Sequence, residues 1–137
     1  GALEHTGFLQ EVGDYLVEVT GGSIQKSVYV ILGVSAVFSA MVDNIPFVAT
    51  MIPTLKAMEE SLGGREAMMP VWWALSLGAC LGGNGTLIGA SANVIVAGIA
   101  AREGHPISFL RFLIWSIPVM VMSVIIAGVF LYLEYFI

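Results

Sequence analysis

Residues 74–100 read ALSLGACLGGNGTLIGASANVIVAGIA. They belong to an uncharged run from 67 to 101, roughly 35 positions, which is too long for one membrane span of about 20 residues. In its middle stand Gly82, Gly83, Asn84, Gly85 and Thr86. Three glycines beside Asn and Thr give the backbone freedom to unwind. The stretch therefore predicts a discontinuous transmembrane helix over 70–101, with halves near 70–81 and 87–101.

The composition around it points the same way. Apolar residues make up 58% of the 137 positions and charged residues 11%, against roughly 25% charged in an ordinary soluble domain. That is too little polar surface to clothe a water-soluble globule, so lipid must cover much of the chain. A formal charge of −5 with only five Lys and Arg argues against nucleic acid as a partner, because phosphate neutralisation needs basic clusters. No Walker loop, nucleophile elbow or paired Cys/His box is present, which removes an ATPase or soluble-enzyme reading.

Upstream, residues 36–53 read AVFSAMVDNIPFVATMIP. Two uncharged limbs, 27–42 and 45–55, flank Asp43, Asn44 and Pro46. At 1.5 Å per residue the first is about 24 Å long and the second under about 20 Å, against a hydrocarbon core of about 30 Å. One straight helix through both would carry a carboxylate and a proline at mid-depth. A re-entrant helical hairpin over 27–55, with its tip at Asp43 to Pro46, fits the lengths better.

Charge and periodicity assign the remaining stretches. Residues 1–26 place Leu3, Phe8, Leu9, Val12, Leu16 and Val19 at helical spacing with acids between them, which predicts an amphipathic interfacial helix and linker ended by Gly21 and Gly22, with Ser23 able to cap the next helix. Residues 56–69 read as a polar connection and 102–111 as a polar turn. Residues 112–135 form a transmembrane helix with Trp115, Tyr132 and Tyr135 near its ends. The opening stretch lacks a basic segment followed by an apolar one, so it does not read as a signal peptide, and the chain reads as an internal portion of a longer polypeptide.

Two constellations carry chemistry. Ser35 and Ser39 lie two turns and one turn before Asp43, so the first limb presents a polar stripe leading to the carboxylate, and Thr50 and Thr54 extend another beyond it. A carboxylate at membrane depth needs a cation, a proton or a polar partner. Asp43 as a plain helix cap fits its placement equally well. At the second constellation, unwound backbone frees carbonyl oxygens for Na⁺, and the helix after it points its positive end at the break. Close packing through small residues explains Gly89 and Ala90 but leaves the run Gly-Gly-Asn-Gly-Thr unexplained. His5 and His105 are far apart without metal-ligand spacing. Cys80, the only cysteine, reads as a small packed hydrophobe.

These two motifs, in this order and spacing, resemble the C-terminal half of the pink-eyed dilution P protein group. That group belongs to the ion transporter superfamily, with the ArsB-type arsenite pumps, NhaD-type sodium/proton antiporters and citrate or dicarboxylate carriers. The resemblance covers roughly residues 27–135. It implies an all-α membrane protein holding one half of an inverted-repeat ion-transporter fold, whose hairpin tip and broken helix meet near mid-membrane. It further implies Asp43, Asn44 and Pro46 at the tip with Thr50 beyond, Gly83, Asn84, Gly85 and Thr86 in the break, and Ser91 and Asn93 at the start of the second half-helix. Arg102 and Arg111 would face the cytoplasm. The other repeat is absent from this chain and would be supplied as a partner by the same protein.

The expected function is a part in a secondary active transporter for an ion or small anion, of the sodium/proton-exchange or arsenite and oxyanion-efflux type. The expected setting is the plasma (inner) membrane of a prokaryote, with a homodimer as one oligomeric option. No cofactor is expected beyond bound Na⁺, at Asn44, Asn84 and Thr86, or a coupling proton. Two rivals stand beside this reading: a channel-like anion conductance using the same breaks, and a non-transporting membrane interaction subunit.

Overall fold

The computed structural model describes residues 8–137, with side chains from residue 11 onward. Leu3 and His5 lie outside the described residues. Six helices and no strands are found among the described residues: α1 (Phe8–Thr20), α2 (Ile24–Met41), α3 (Asn44–Ser61), α4 (Met69–Gly82), α5 (Ser91–Arg102) and α6 (Phe109–Tyr135).

Gly21 and Gly22, at φ +61° and +72°, end α1 in the left-handed region that glycine enters without strain. Ser23 then caps α2, its Oγ accepting from Lys26 N–H. The cap lets the first limb begin at Ile24, so it holds 18 residues and reaches about 27 Å. Among the described residues it is one of two helices long and apolar enough to cross a membrane, the other being α6. The second limb is longer than its charges suggest. Leu55, Met58 and Leu62 are buried at helical spacing, so α3 continues through Lys56, Glu59 and Glu60 to Ser61, inside the stretch read as a polar connection. Gly63 and Gly64, at φ +97° and +89°, make the turn after it.

The two limbs fold back on each other at residues 42–43. Phe38 and Phe47 stack across the turn with ring centroids 6.1 Å apart. Val28 and Ile31 from the start of α2 share a buried cluster with Leu55 and Met58 from the end of α3. α1 lies on α3, where Gly13 faces Thr54, Ala57 and Met58, leaving Glu11, Asp14 and Glu18 exposed.

The most extensive helix pairing is α2 against α4. Gly78 and Gly82, one turn apart, bring the backbones together: a Cβ on Gly78 would stand 2.6 Å from the Leu32 carbonyl oxygen, and one on Gly82 would strike the Ala36 backbone. Such small-residue faces replace the missing hydrophobic drive between helices in lipid with close van der Waals contact. Because 32 pairs with 78 and 36 with 82, the two helices run parallel. Cys80 faces outward and is exposed, contrary to its reading as a packed hydrophobe, since the buried side of α4 is taken by Gly78, Ala79 and Gly82.

α6 runs antiparallel to this pair, with Met120 against Gly85 and Gly128 against Leu32 and Tyr29. Only Ala127, Gly128 and Leu131 of its 27 residues are buried. A helix this apolar on every side and this exposed fits a lipid-facing span.

Candidate functional site

Parallel packing of α2 and α4 brings their C-terminal ends to one level; there the chain turns back into α3 and, after the unwound stretch, enters α5 with its first residue beside Asp43. Four helix ends therefore meet around the hairpin turn and the break. The ends of α2 and α4 offer carbonyl oxygens and the negative poles of their dipoles; the starts of α3 and α5 offer N–H groups and positive poles. One small volume can thus attract a cation on one side and an anion on the other.

Asp43 is the N-cap of α3 but makes no side-chain cap hydrogen bond. Its carboxylate instead accepts a hydrogen bond from Ser91 Oγ at 2.7 Å, across 48 residues of sequence. The hairpin turn is thereby joined to the first residue of α5. A second bond does the same from the other side, with Thr86 Oγ1 donating to the Ala40 carbonyl in the last turn of α2.

The unwound stretch runs from Gly83 to Ala90, longer than the 82–86 expected. Its length has a packing cause. A Cβ on Gly89 would stand 2.7 Å from the Gly83 oxygen and 3.1 Å from both Ser39 and Ala40 oxygens, so only glycine lets the returning chain press against the end of α2. The freed carbonyls find side-chain donors: Asn93 Nδ2 donates to Gly83 O at 2.9 Å and Thr86 O at 3.0 Å, and Ser116 Oγ of α6 donates to Gly85 O at 2.8 Å. Ser39 Oγ donates to Ala79 O at 2.6 Å just below. Thr86 O and Ala79 O each accept a second bond, from Gly89 N–H and Gly83 N–H, whereas Gly83 O and Gly85 O keep a lone pair that could serve a bound cation.

Not every expected residue joins this junction. Asn44 lines a separate cleft of about 370 Å³ with Ile45, Val48, Ala49 and Ile52. Thr50 Oγ1 donates back to Pro46 O on the exposed side of α3. Asn84 lines a different crevice of about 550 Å³ together with Asn93, Arg111 and Ser116. The three side chains named for sodium are thus distributed over two clefts and the Ala40 contact. A cleft of about 590 Å³ between α2 and α6 is walled by Leu32, Val124, Val129 and other mostly apolar residues, none of them from the break. Among the described residues no three His, Cys, Asp or Glu side chains cluster, so the donor set for a cation at the junction is Asp43 with neutral oxygens. Ser116 is a site residue that the sequence does not single out; a lone hydroxyl in the first half of the apolar run that follows Arg111 is its one signal.

Comparison with known proteins gives a consistent set. The model of the citrate transporter family matches residues 1–78. An uncharacterized transporter of Mycobacterium tuberculosis is 45% identical over 137 residues, all of this chain and 32% of the relative. An uncharacterized transporter of Synechocystis is 38% identical over 144 residues, covering 95% of this chain and 32% of the relative. The P protein of Mus musculus is 46% identical over 127 residues, covering 89% of this chain and 15% of that protein. The chain spans about a third of the length of the bacterial relatives it matches. No solved structure matches it.

Proposed function

The chain belongs to the citrate transporter family, and we propose that it forms the hairpin and broken-helix portion of a secondary active transporter whose solute and coupling ion meet at the junction of residues 40–46 and 83–93. It is a transporter component and an integral membrane protein, not an enzyme. The observation that carries the proposal is the pair of long-range bonds, Ser91 to Asp43 and Thr86 to Ala40 O, which fasten the hairpin turn to the break and to the start of α5.

The groups that converge there define the chemistry. The starts of α3 and α5 favour an anionic group, such as a carboxylate or an oxyanion, through their N–H groups. Asp43 and the carbonyls of the break favour Na⁺ or a proton. A site with both characters suits co-transport of a small anion with a cation. Sodium/proton exchange is the second reading, favoured by Asp43 being the only charge between Lys26 and Lys56. The rest of the relatives' length would complete the site with a second hairpin and break, in the plasma membrane of a prokaryote.

Reconstitution of the full-length protein tests this. Labelled tricarboxylate, dicarboxylate or arsenite should accumulate in proteoliposomes only when a proton or sodium gradient is imposed. Flux that tracks voltage without dependence on either ion indicates a channel, and absence of flux for every solute under every gradient contradicts the transporter reading.

A further inference from the structure

We propose that the crevice between the break and α6 is an anion-selective access path to the break, with Arg111 setting the sign of the solute it admits. The crevice, about 550 Å³, is lined by Asn84, Asn93, Arg111, Trp115, Ser116 and Val119 among others. Arg111 lies in the first turn of α6, with its backbone N–H held by Ser108 Oγ. Ser116 is five residues further on, about 7.5 Å along the helix axis, and donates directly to Gly85 O. One wall therefore carries the path from the end of α6 down to the unwound backbone. Asn84, exposed and on the break itself, faces the same space.

Charge gives the path its sign. Arg111 is the one charged residue lining it, and among the described residues no carboxylate lines it. Asp43 lies outside, engaged by Ser91. A single cation beside apolar walls focuses its field along the crevice and raises the local concentration of anions. Polar groups at both ends with Phe112 and Trp115 between, and Val119 beside the inner end, are the usual dress of a small-molecule path.

The inference rests on the reading of the break as the solute site, but its test measures access and not transport. In the full-length protein with Cys80→Ala, Val119→Cys, at a position about half exposed, is reacted with an anionic and a cationic methanethiosulfonate reagent, each rate normalised to its rate on a free thiol. The anionic reagent should react about tenfold faster. Arg111→Lys should retain the preference, Arg111→Gln should abolish it and Arg111→Glu should reverse it. Equal normalised rates, a preference untouched by Arg111→Glu, or no labelling at all overturns the proposal. Expected labelling in a protein that moves no solute would leave the path standing and remove the transporter reading alone.

Discussion

Asp43 and Ser91 stand 48 residues apart in sequence and 2.7 Å apart across a hydrogen bond, so the turn of one helix pair is fastened to the start of another half-helix. The carboxylate that sequence alone could assign either to helix capping or to an ion site makes no capping bond and points across the junction instead. The fastening is separable from the charge. Ser91→Ala removes the donor while leaving Asp43, and Ser91→Thr restores a hydroxyl. A charge-assisted hydrogen bond contributes about 1.5 kcal/mol or more, so the Ala variant should weaken apparent solute affinity by about tenfold, with the Thr variant near wild type. Equal activity of all three in a transport assay would make the bond incidental.

Close approach of α2 and α4 yields a contrast between glycines. Gly82→Ala places a Cβ against the Ala36 backbone and should destabilise the protein by roughly 1–3 kcal/mol through overpacking. Gly98, in α5, has open space around it, and Gly98→Ala should be neutral or stabilise by up to about 1 kcal/mol through helix propensity. Melting temperatures of the detergent-solubilised full-length protein separate the two. Similar melting points would mean that α2 and α4 are not in backbone contact.

How far the sequence discloses this arrangement depends on whether the cause is local. The break at 82–86, the turn at Asp43 and the cap at Ser23 are legible because glycine, proline and short polar side chains act on their own backbone. The end of α3 is misplaced because Lys56, Glu59 and Glu60 read as an aqueous loop, while the period of Leu55, Met58 and Leu62 carries the helix onward and Glu59 accepts from Trp72 Nε1 at 2.7 Å. The extension of the break to Ala90 and the role of Ser116 have long-range causes, the approach of Gly89 to Ser39 and Ala40 and the bond to Gly85 O. No local pattern encodes those.

Asn93 holds two freed carbonyls at once. Asn93→Ala leaves Gly83 O without its donor, at a cost of about 1–3 kcal/mol if it stays dry, while Thr86 O keeps the Gly89 N–H. The variant is expected to insert into the membrane but to melt several degrees lower and transport poorly. Asn93→Gln, whose longer amide cannot reach both oxygens in the same geometry, should fall between. Wild-type melting and flux in the Ala variant would show that the break needs no side-chain support.

Folding back of α3 on α2 places Lys26 and Lys56 on one side of the junction, and antiparallel α6 carries Arg111 beyond it. In the full-length protein with Cys80→Ala, single cysteines at 26 and 56 should be labelled by an impermeant thiol reagent from the same face of sealed vesicles, and one at 102 from the opposite face. Labelling of 26 and 56 from opposite faces would mean that 24–61 crosses the membrane as a kinked span, and the topology from Asp43 onward would change.

The measurement closest to the central claim is coupled flux in Asp43→Asn. Asn keeps the shape and caps a helix about as well as Asp, and it can still bond to Ser91, so folding and insertion should match wild type. It removes the charge on which cation coupling depends. In proteoliposomes the variant should lose gradient-driven accumulation, or lose its response to the proton or sodium gradient, while retaining normal expression and melting. Wild-type gradient-dependent accumulation in Asp43→Asn, in vesicles where the native protein is fully coupled, would contradict the claim that Asp43 carries the coupling ion.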